Sequence, residues 1–336
     1  MRIGLAYDLQ PDDMSTDRWA EWDRPETVDG IEQALRALGH AVQRVGSAHE
    51  MLGRLDEIRR ECALVFSIAE GAASRTREAW VPTLCEMIGL PYVGSSPQTL
   101  ALALDKWMTR RLWQAEGLPV PTGANVSRLA DVDALGALPF PLIVKPRYEG
   151  SGMGIDADAI VSDRASLHRR VAWAIAAYQE PVVIEAFIRG GEFTVCLVGD
   201  PLRALPPVQR HVDPTTTLSC HIAQRRERRD TVAWQLPCES TTLLDEQLQR
   251  LALRAATVLG CRDLARVDVR VTPEGQPHLL EINPLPSLDS DSTFVLLADV
   301  LGWGFPGMLQ RIIEPAIDRA TSNQRPAKNS LLIAGC

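Results

Sequence analysis

The chain has few lysines: only three of its 35 basic residues are lysine, and the rest are arginine. Its seven cysteines are odd in number and form no CxxC pair, which favours buried thiols over disulfides or zinc ligands. It lacks an N-terminal signal pattern and any run of 18 apolar residues, which argues against secretion and a membrane partner. A net charge of −8 argues against a nucleic-acid partner. We therefore expect a cytoplasmic protein.

The remaining composition is that of an ordinary globular protein. Hydrophobic residues make up 46% and charged residues 23% of the 336 positions, enough for two or three domains. The first 96 residues alternate apolar runs and helical segments in the order β-α-β-α-β, which predicts a parallel sheet covered by helices. Further along, the patterns predict helices over 100–116, 166–178, 243–259 and 307–319.

The most informative stretch runs from Arg266 to Asn283 and reads RVDVRVTPEGQPHLLEIN. Polar residues alternate with valines in its first half, which is typical of a strand with one polar face. A turn follows, and the returning strand places Glu281 and Asn283 on one face. With Asp268 they offer two carboxylates and an amide oxygen, the hard ligands that Mg²⁺ prefers. The pattern indicates a metal-binding hairpin, and the alternative is a solvated hairpin face without metal.

A glycine-rich loop, EGSGMG at 149–154, follows an apolar strand that contains Lys145. Backbone N–H groups in such a loop close on phosphate oxygens, and Ser151 adds a hydroxyl donor. The loop is neither a Walker A sequence nor the dinucleotide-binding fingerprint. A second lysine, Lys106, opens a helix, so two of the three lysines lie where phosphates would be met. We interpret this region as a phosphate-binding site.

Seven short motifs occur in one order along the chain. They are LPYVGS (90–95), LDK (104–106), GLPVP (117–121), IVKP (143–146), EGSGMG (149–154), VIEAFIRGGEFTV (183–195) and RVDVR with LLEINPLPS (266–287). In this order they resemble the ATP-grasp superfamily and, more narrowly, D-alanine–D-alanine ligases and their relatives, over residues 3–301. The resemblance implies an ATP-dependent carbon–nitrogen ligase. Such an enzyme converts a carboxylate to an acylphosphate, which an amine then attacks.

The resemblance also implies an α/β fold of three domains with ATP between the last two. The N-terminal parallel α/β domain would span 1–96, a small central α+β subdomain 97–188, and a C-terminal α+β subdomain with the metal site 189–320. Residues 321–336 would form a flexible tail. The family's habit of forming homodimers makes a homodimer an expectation here.

Roles for the nucleotide-binding residues follow from the same resemblance. Lys106 and Lys145 would contact the phosphates of ATP, with Ser151 in the loop over them. The adenine pocket would be lined by Glu185, Ala186, Phe187 and Ile188. Glu192 would hold the ribose hydroxyls. Ala186 departs from the lysine often found in these ligases.

The resemblance assigns metal binding and catalysis to the hairpin and the loop after it. Asp268, Glu281 and Asn283 would hold two Mg²⁺ ions, for which Mn²⁺ would substitute. Arg266 would stabilise the tetrahedral oxyanion. Ser287 stands where the ligases have an oxyanion-hole glycine, and its backbone N–H can still donate.

The half of the site that would hold the amino acid departs from these ligases. The usual HG-x-x-GEDG segment is replaced by a sequence containing Glu70, with Arg77 following as a cationic partner for a polar substrate group. The N-terminal recognition serine is missing, although Glu26 could hold an amino group. The mobile-loop tyrosine and lysine are absent, and Arg225 could take over their phosphate contact. Ser292 remains available for a carboxylate.

These departures leave three interpretations of function. The leading one is a ligase that forms an amide on an amino-acid-type small molecule in specialised metabolism, such as antibiotic biosynthesis, by joining an amino acid or closing a ring. The alternative is D-alanine–D-alanine ligation for peptidoglycan, which the rebuilt segment disfavours. A third is a nucleotide-binding protein without catalysis, and the intact metal ligands argue against it.

Overall fold

The computed structural model of the protein describes residues 1–11, 19–136, 138–212, 232–235 and 242–323. Its strands form three sheets: a parallel one of three strands, an antiparallel one of four and an antiparallel one of six. None of the helices in these ranges is long and apolar enough to cross a membrane.

The N-terminal sheet is parallel, as the β-α-β order predicts, and its strands lie in the order β2-β1-β3. The elements of this layer are β1 (Arg2–Ala6), α1 (Pro25–Ala37), β2 (Ala41–Gly46), α2 (Ala48–Leu52), α3 (Leu55–Glu61), β3 (Leu64–Ser67) and α4 (Trp80–Ile88). Gly89 ends α4 in the left-handed conformation, with φ 65°, which glycine adopts without strain. The carboxyl end of β3 leads into the segment that carries Glu70, so this residue lies at the edge where parallel sheets commonly bind ligands.

The second sheet is antiparallel in the order β4-β7-β5-β6. Its region comprises α5 (Pro97–Leu104), α6 (Lys106–Ala115), β4 (Gly123–Val126), β5 (Leu142–Pro146), β6 (Ile160–Val161), α7 (Arg164–Tyr178) and β7 (Val182–Ala186). The single helix predicted over 100–116 is wrong, because the chain breaks at Asp105. The carboxylate of Asp105 accepts hydrogen bonds from the backbone N–H groups of Trp107 and Met108, so it caps α6 and starts that helix at Lys106.

The third sheet is antiparallel in the order β11-β10-β8-β12-β13, with β9 paired to β8. This region comprises β8 (Gly191–Gly199), β9 (Arg203–Ala204), β10 (Val208–Val212), β11 (Val232–Gln235), α8 (Thr242–Leu259), β12 (Asp263–Val271), β13 (Pro277–Asn283), α9 (Thr293–Val300) and α10 (Gly304–Asn323). The predicted hairpin is confirmed: Arg266 pairs with Asn283, and Asp268 with Glu281. The register shifts after Asp268 and leaves Leu280 out of the ladder as a bulge.

Two hydrophobic cores flank the N-terminal sheet. One lies within the layer and includes Val45, Met51 and Ile58. The other is shared with the C-terminal helices, since Ile3 of β1 belongs to the same buried cluster as Ile312 of α10. The layer is therefore held against the C-terminal region by apolar burial. The predicted boundaries at 96/97 and 188/189 stay predictions.

Candidate active site

A cavity of about 320 Å³ is lined by residues from all three sheet regions. The four-stranded sheet contributes Lys145 and the end of β7, and the six-stranded sheet contributes the polar face of the β12–β13 hairpin. The N-terminal layer contributes Glu70. Residues predicted separately for phosphate, metal and amino-acid binding thus share one enclosed space.

The phosphate side of the cavity contains both predicted lysines. Lys145 is 8% exposed, and its Nζ lies 3.0 Å from Oε2 of Glu185. The other oxygen of Glu185 lies 3.6 Å from Nε of Arg110. Lys106 donates through Nζ to the backbone carbonyl of Glu149, at the start of the glycine loop. Ser151 lies on that loop with φ 48°, a left-handed conformation that is uncommon for a residue with a side chain.

The predicted adenine pocket lies at the end of β7, where Ala186, Phe187 and Ile188 line the cavity. The backbone N–H of Phe187 donates to the carbonyl of Pro141, which fixes this segment against the start of β5. The guanidinium of Arg270 lies 4.6 Å from the centre of the Phe187 ring. Glu192 accepts a hydrogen bond from Arg210 at 3.0 Å and lies 3.4 Å from Arg270, so both its carboxylate oxygens have cationic neighbours.

The hairpin brings the predicted metal ligands together. Asp268 accepts a hydrogen bond from the Thr194 hydroxyl at 2.7 Å and pairs with Arg266 at 3.0 Å. Arg266 also lies 3.9 Å from a carboxylate oxygen of Glu281. Burial raises the pKa of Asp268, and Arg266 opposes that rise. Within the described residues, the amide nitrogen of Asn283 is buried without a hydrogen-bond partner. The unmet N–H donor fits a site that receives phosphate oxygens, and the amide oxygen of Asn283 with the two carboxylates fits the hard ligands of a metal.

The loop after β13 supplies two serines that line the cavity. The hydroxyl of Ser287 accepts a hydrogen bond from the backbone N–H of Asp289 at 3.2 Å. Ser292 caps α9 by accepting from the N–H of Val295 at 3.4 Å. Asp289 in turn accepts from Arg24 at 2.8 Å. This loop is thereby tied to the segment that precedes α1.

The N-terminal wall of the cavity is acidic. The carboxylates of Glu21, Glu70 and Glu78 lie within 4.8 Å of one another. Burial, with a further contribution from Glu78, raises the pKa of Glu70 well above its ordinary value. Burial beside Glu21 raises the pKa of Glu78 to about 8. Burial also raises the pKa of Asp23, on the same wall, to about 8.

Comparison with known proteins places the chain in a family. A family model described as "D-ala D-ala ligase C-terminus" matches residues 112–314. A D-alanine–D-alanine ligase of Azoarcus sp. (strain BH72) is 39% identical over 233 residues, which cover 69% of this chain and 73% of the relative. That of Stutzerimonas stutzeri is 32% identical over 287 residues, covering 85% and 87%. The chain belongs to the D-alanine–D-alanine ligase family.

Other relatives of this ligase family extend the comparison. An uncharacterised protein, y4sG, of Sinorhizobium fredii is 29% identical over 333 residues, covering 96% of this chain and 94% of that protein. Among solved structures, the D-alanine–D-alanine ligase of Bacillus anthracis complexed with ATP aligns with a TM-score of 0.75 at 21% identity, covering 96% of this chain and 99% of that one. The likeness to the solved structure confirms the three-domain ATP-grasp fold. Membership of the D-alanine–D-alanine ligase family makes the protein an ATP-dependent carbon–nitrogen ligase.

The structure of this family member gathers most of the predicted residues in the cavity, and their roles remain predictions. Glu26 is not among the lining residues; its side chain is exposed in the first turn of α1. Arg77 is buried, and its guanidinium contacts Glu21 at 2.7 Å and Glu149 at 3.3 Å. The structure therefore does not present Arg77 as a cationic partner for substrate. Arg225 lies outside the described residues.

Sequence reasoning missed part of the ligase cavity. Glu21, Trp22 and Asp289 line it, yet they lie in segments without hydrophobic period or motif. Trp22 donates through its ring nitrogen to the carbonyl of Gly71 at 2.8 Å, which holds this segment against the Glu70 loop. The one local signal was the density of acidic residues on either side of Trp22. Their proximity to Glu70 depends on the tertiary fold.

Proposed function

We propose that the protein joins the carboxylate of one amino acid to the amine of a second and releases ADP and phosphate. The observation that carries this proposal is the cavity that the polar face of the β12–β13 hairpin shares with Lys106 and Lys145. The two lysines and Arg266 supply positive charge where phosphoryl transfer and amide formation both develop negative charge.

The chemistry divides between the two sides of this cavity. A carboxylate oxygen of the first amino acid attacks the terminal phosphorus of ATP, ADP leaves, and an acylphosphate forms. Lys145 and Lys106 bind the phosphate oxygens during this step. The second amino acid, as a free amine, attacks the acyl carbon; phosphate leaves and the nitrogen loses a proton. Arg266 faces the oxyanion of that tetrahedral intermediate.

Metal binding completes the proposed site. Asp268, Glu281 and Asn283 would hold Mg²⁺, which supplies charge neutralisation to the phosphate oxygens of ATP. The pairing of Asp268 with Glu281 across the hairpin supports this assignment, since it places both carboxylates on one face. The proposal includes two ions and acceptance of Mn²⁺ in their place. It also includes a homodimer, which rests on the family resemblance, and a cytoplasmic location, which rests on the sequence expectation given above.

D-alanine is the first candidate for both amino acids. The relatives from Azoarcus and Stutzerimonas stutzeri are D-alanine–D-alanine ligases by name, and this favours the peptidoglycan reaction over an amide-forming role in specialised metabolism. A second candidate is the same reaction with a different first amino acid. The acidic wall formed by Glu21, Glu70 and Glu78 favours it, because the methyl side chain of alanine offers no group to pair with three carboxylates.

Product analysis tests the proposed function. The protein is mixed with ATP, Mg²⁺ and single or paired amino acids, D-alanine included, and phosphate release is followed while mass spectrometry searches for new dipeptides. We expect phosphate and amide product to appear in equal amounts. An Asp268→Asn variant serves as the control, since it keeps the shape of a predicted metal ligand without its charge. Absence of any amide from every mixture would refute the proposal.

A further inference from the structure

The acidic wall has more negative charge than the protein itself balances. Four carboxylates, those of Glu21, Asp23, Glu70 and Glu78, interact there with two cationic side chains, Arg77 and Lys106. These six groups alone therefore have an excess of two negative charges when all of them are ionised. On an ordinary protein surface, solvent would screen such charge, but Glu78 is only 9% exposed.

The two cations on this wall are already occupied by other groups. Arg77 is 4% exposed, pairs with Glu21 and Glu149, and donates to the backbone carbonyl of Tyr148 at 3.1 Å. Lys106 donates to the backbone carbonyl of Glu149. Neither cation forms a hydrogen bond with Glu70 or Glu78 in the described part of the chain. When these two glutamates ionise, their charge is thus left for a ligand to balance.

Glu78 is an unpartnered buried carboxylate directed into the cavity. No described side chain or backbone group donates a hydrogen bond to it, and it lines the cavity together with Glu70. A buried carboxylate without a hydrogen-bond partner is costly, and binding of a cation removes that cost. Trp22 lines the same wall and is fixed by its hydrogen bond to Gly71, so an aromatic surface is available beside the carboxylates. Carboxylates beside an aromatic ring favour an organic cation.

The position of this wall identifies which substrate it faces. Glu21 accepts a hydrogen bond from the backbone N–H of Gly150 at 2.9 Å, so the wall adjoins the glycine loop that we assign to the ATP phosphates. The amino acid whose carboxylate is phosphorylated must lie beside that loop. The acidic wall therefore faces the acyl donor.

We propose that Glu70 and Glu78 bind a second positively charged group, an ammonium, on the side chain of the first amino acid, so that the acyl donor is a diamino acid. This inference rests on the proposed function and refines its substrate. One of the two excess negative charges balances the α-ammonium of the donor, and the other balances its side-chain ammonium. A short side chain fits best, because the carboxylates are clustered within 4.8 Å of one another.

Proton release provides an independent sign of such binding. Glu78, with a pKa raised to about 8, is largely protonated at pH 7 in the empty cavity, and burial raises the pKa of Glu70 as well. The charged groups that face these two glutamates are Glu21, Asp23, Arg77 and Lys106. An ammonium favours the ionised carboxylates and expels their protons. Calorimetric titration of a diamino acid at pH 7 in phosphate and in Tris should therefore give binding enthalpies that differ with the buffer's ionisation enthalpy.

Matched amino acids test the substrate class. D- and L-2,3-diaminopropionate are compared with D-alanine and with D- and L-2-aminobutyrate, which have the same size as diaminopropionate but lack the side-chain charge. The measured quantity is kcat/KM for phosphate release, and mass spectrometry confirms the product. We expect a preference of about tenfold or more for a diaminopropionate, the scale of one charged hydrogen bond. Glu78→Gln and, separately, Glu70→Gln should reduce that preference, while Glu61→Gln, an exposed control on α3, should not.

The outcomes separate this inference from the proposed function. Amide formation from D-alanine or aminobutyrate with equal or better kcat/KM than from diaminopropionate would overturn the inference and leave the ligase function standing. Absence of amide from all of them would refute the function itself. Tight binding of Mn²⁺ without ATP, lost in Glu78→Gln but retained in Asp268→Asn, would show that the wall holds a metal ion and would also overturn the inference.

Discussion

Replacement of Lys145 by methionine tests the nucleotide site most directly. The side chain is 11% exposed, and its Nζ lies 3.0 Å from Glu185 in the cavity. Methionine keeps much of the aliphatic length and removes the charge. The loss of a charged hydrogen bond to phosphate is worth about 1.5–3 kcal/mol, which corresponds to ATP binding that is about 10- to 150-fold weaker.

The same change also affects folding, and this effect must be separated from binding. Removing one partner of a buried ion pair costs about 3–5 kcal/mol, because the remaining carboxylate is left unpaired. Arg110, 3.6 Å from Glu185, reduces this cost without abolishing it. A Lys145→Met, Glu185→Gln double variant removes the unpaired charge, so its stability should recover, whereas its ATP affinity should remain low.

Calorimetry with ATP in the presence of Mg²⁺ provides the assay, with urea unfolding measured on the same samples. Lys106→Met is the matched comparison, since Lys106 donates to a backbone carbonyl and has no carboxylate in its hydrogen bond. Unchanged ATP affinity in both single variants would mean that the nucleotide binds elsewhere. Full recovery of affinity in the double variant would show that Lys145 acts only through the fold.

Three further predictions concern the rest of the cavity. Glu281→Gln keeps the shape of the side chain but removes an anionic ligand, so turnover should fall by about 100-fold, on the scale of one lost transition-state contact. A rate of phosphate release within twofold of wild type would show that Glu281 is not part of the site. Arg77→Met removes the cationic partner of Glu21 and should reduce the free energy of unfolding in urea by about 3–5 kcal/mol. A loss below about 1 kcal/mol, the scale of an exposed ion pair, would contradict the burial of the Arg77–Glu21 pair. Glu78 has a pKa of about 8 against an ordinary 4.5, so the folded state retains a proton that the unfolded state loses. Stability without substrate should therefore fall as pH rises from 4.5 to 8, and Glu78→Gln should lessen that slope in thermal unfolding.

Local sequence patterns predicted the elements that build the cavity. Polar residues and valines alternate from Arg266 to Val271. Because successive side chains of a strand point to opposite faces, this alternation gives one polar and one apolar face whatever the surrounding structure. The β12–β13 hairpin accordingly agrees with its prediction, including the opposition of Asp268 and Glu281. The glycine loop after Lys145 could likewise be predicted from the sequence, because its backbone conformation requires residues that tolerate positive φ.

The break between α5 and α6 shows where local pattern reasoning fails. Apolar and helix-forming residues continue through 100–116, so period alone predicts one helix. Asp105 stops it, since its carboxylate satisfies two N–H groups that start a new helix. The same carboxylate pairs with Arg147 after β5, a contact 42 positions away that no local pattern contains.

The sequence by itself determined the family and the reaction class, and it predicted residues for phosphate and metal binding, because each of these depends on short motifs whose geometry is local. Only the tertiary structure decided the amino-acid side. It paired Arg77 with Glu21, 56 positions earlier, and it placed Glu70 beside Glu78 without a cation of their own. A charge in a sequence can pair with many partners, and burial in the folded chain selects among them.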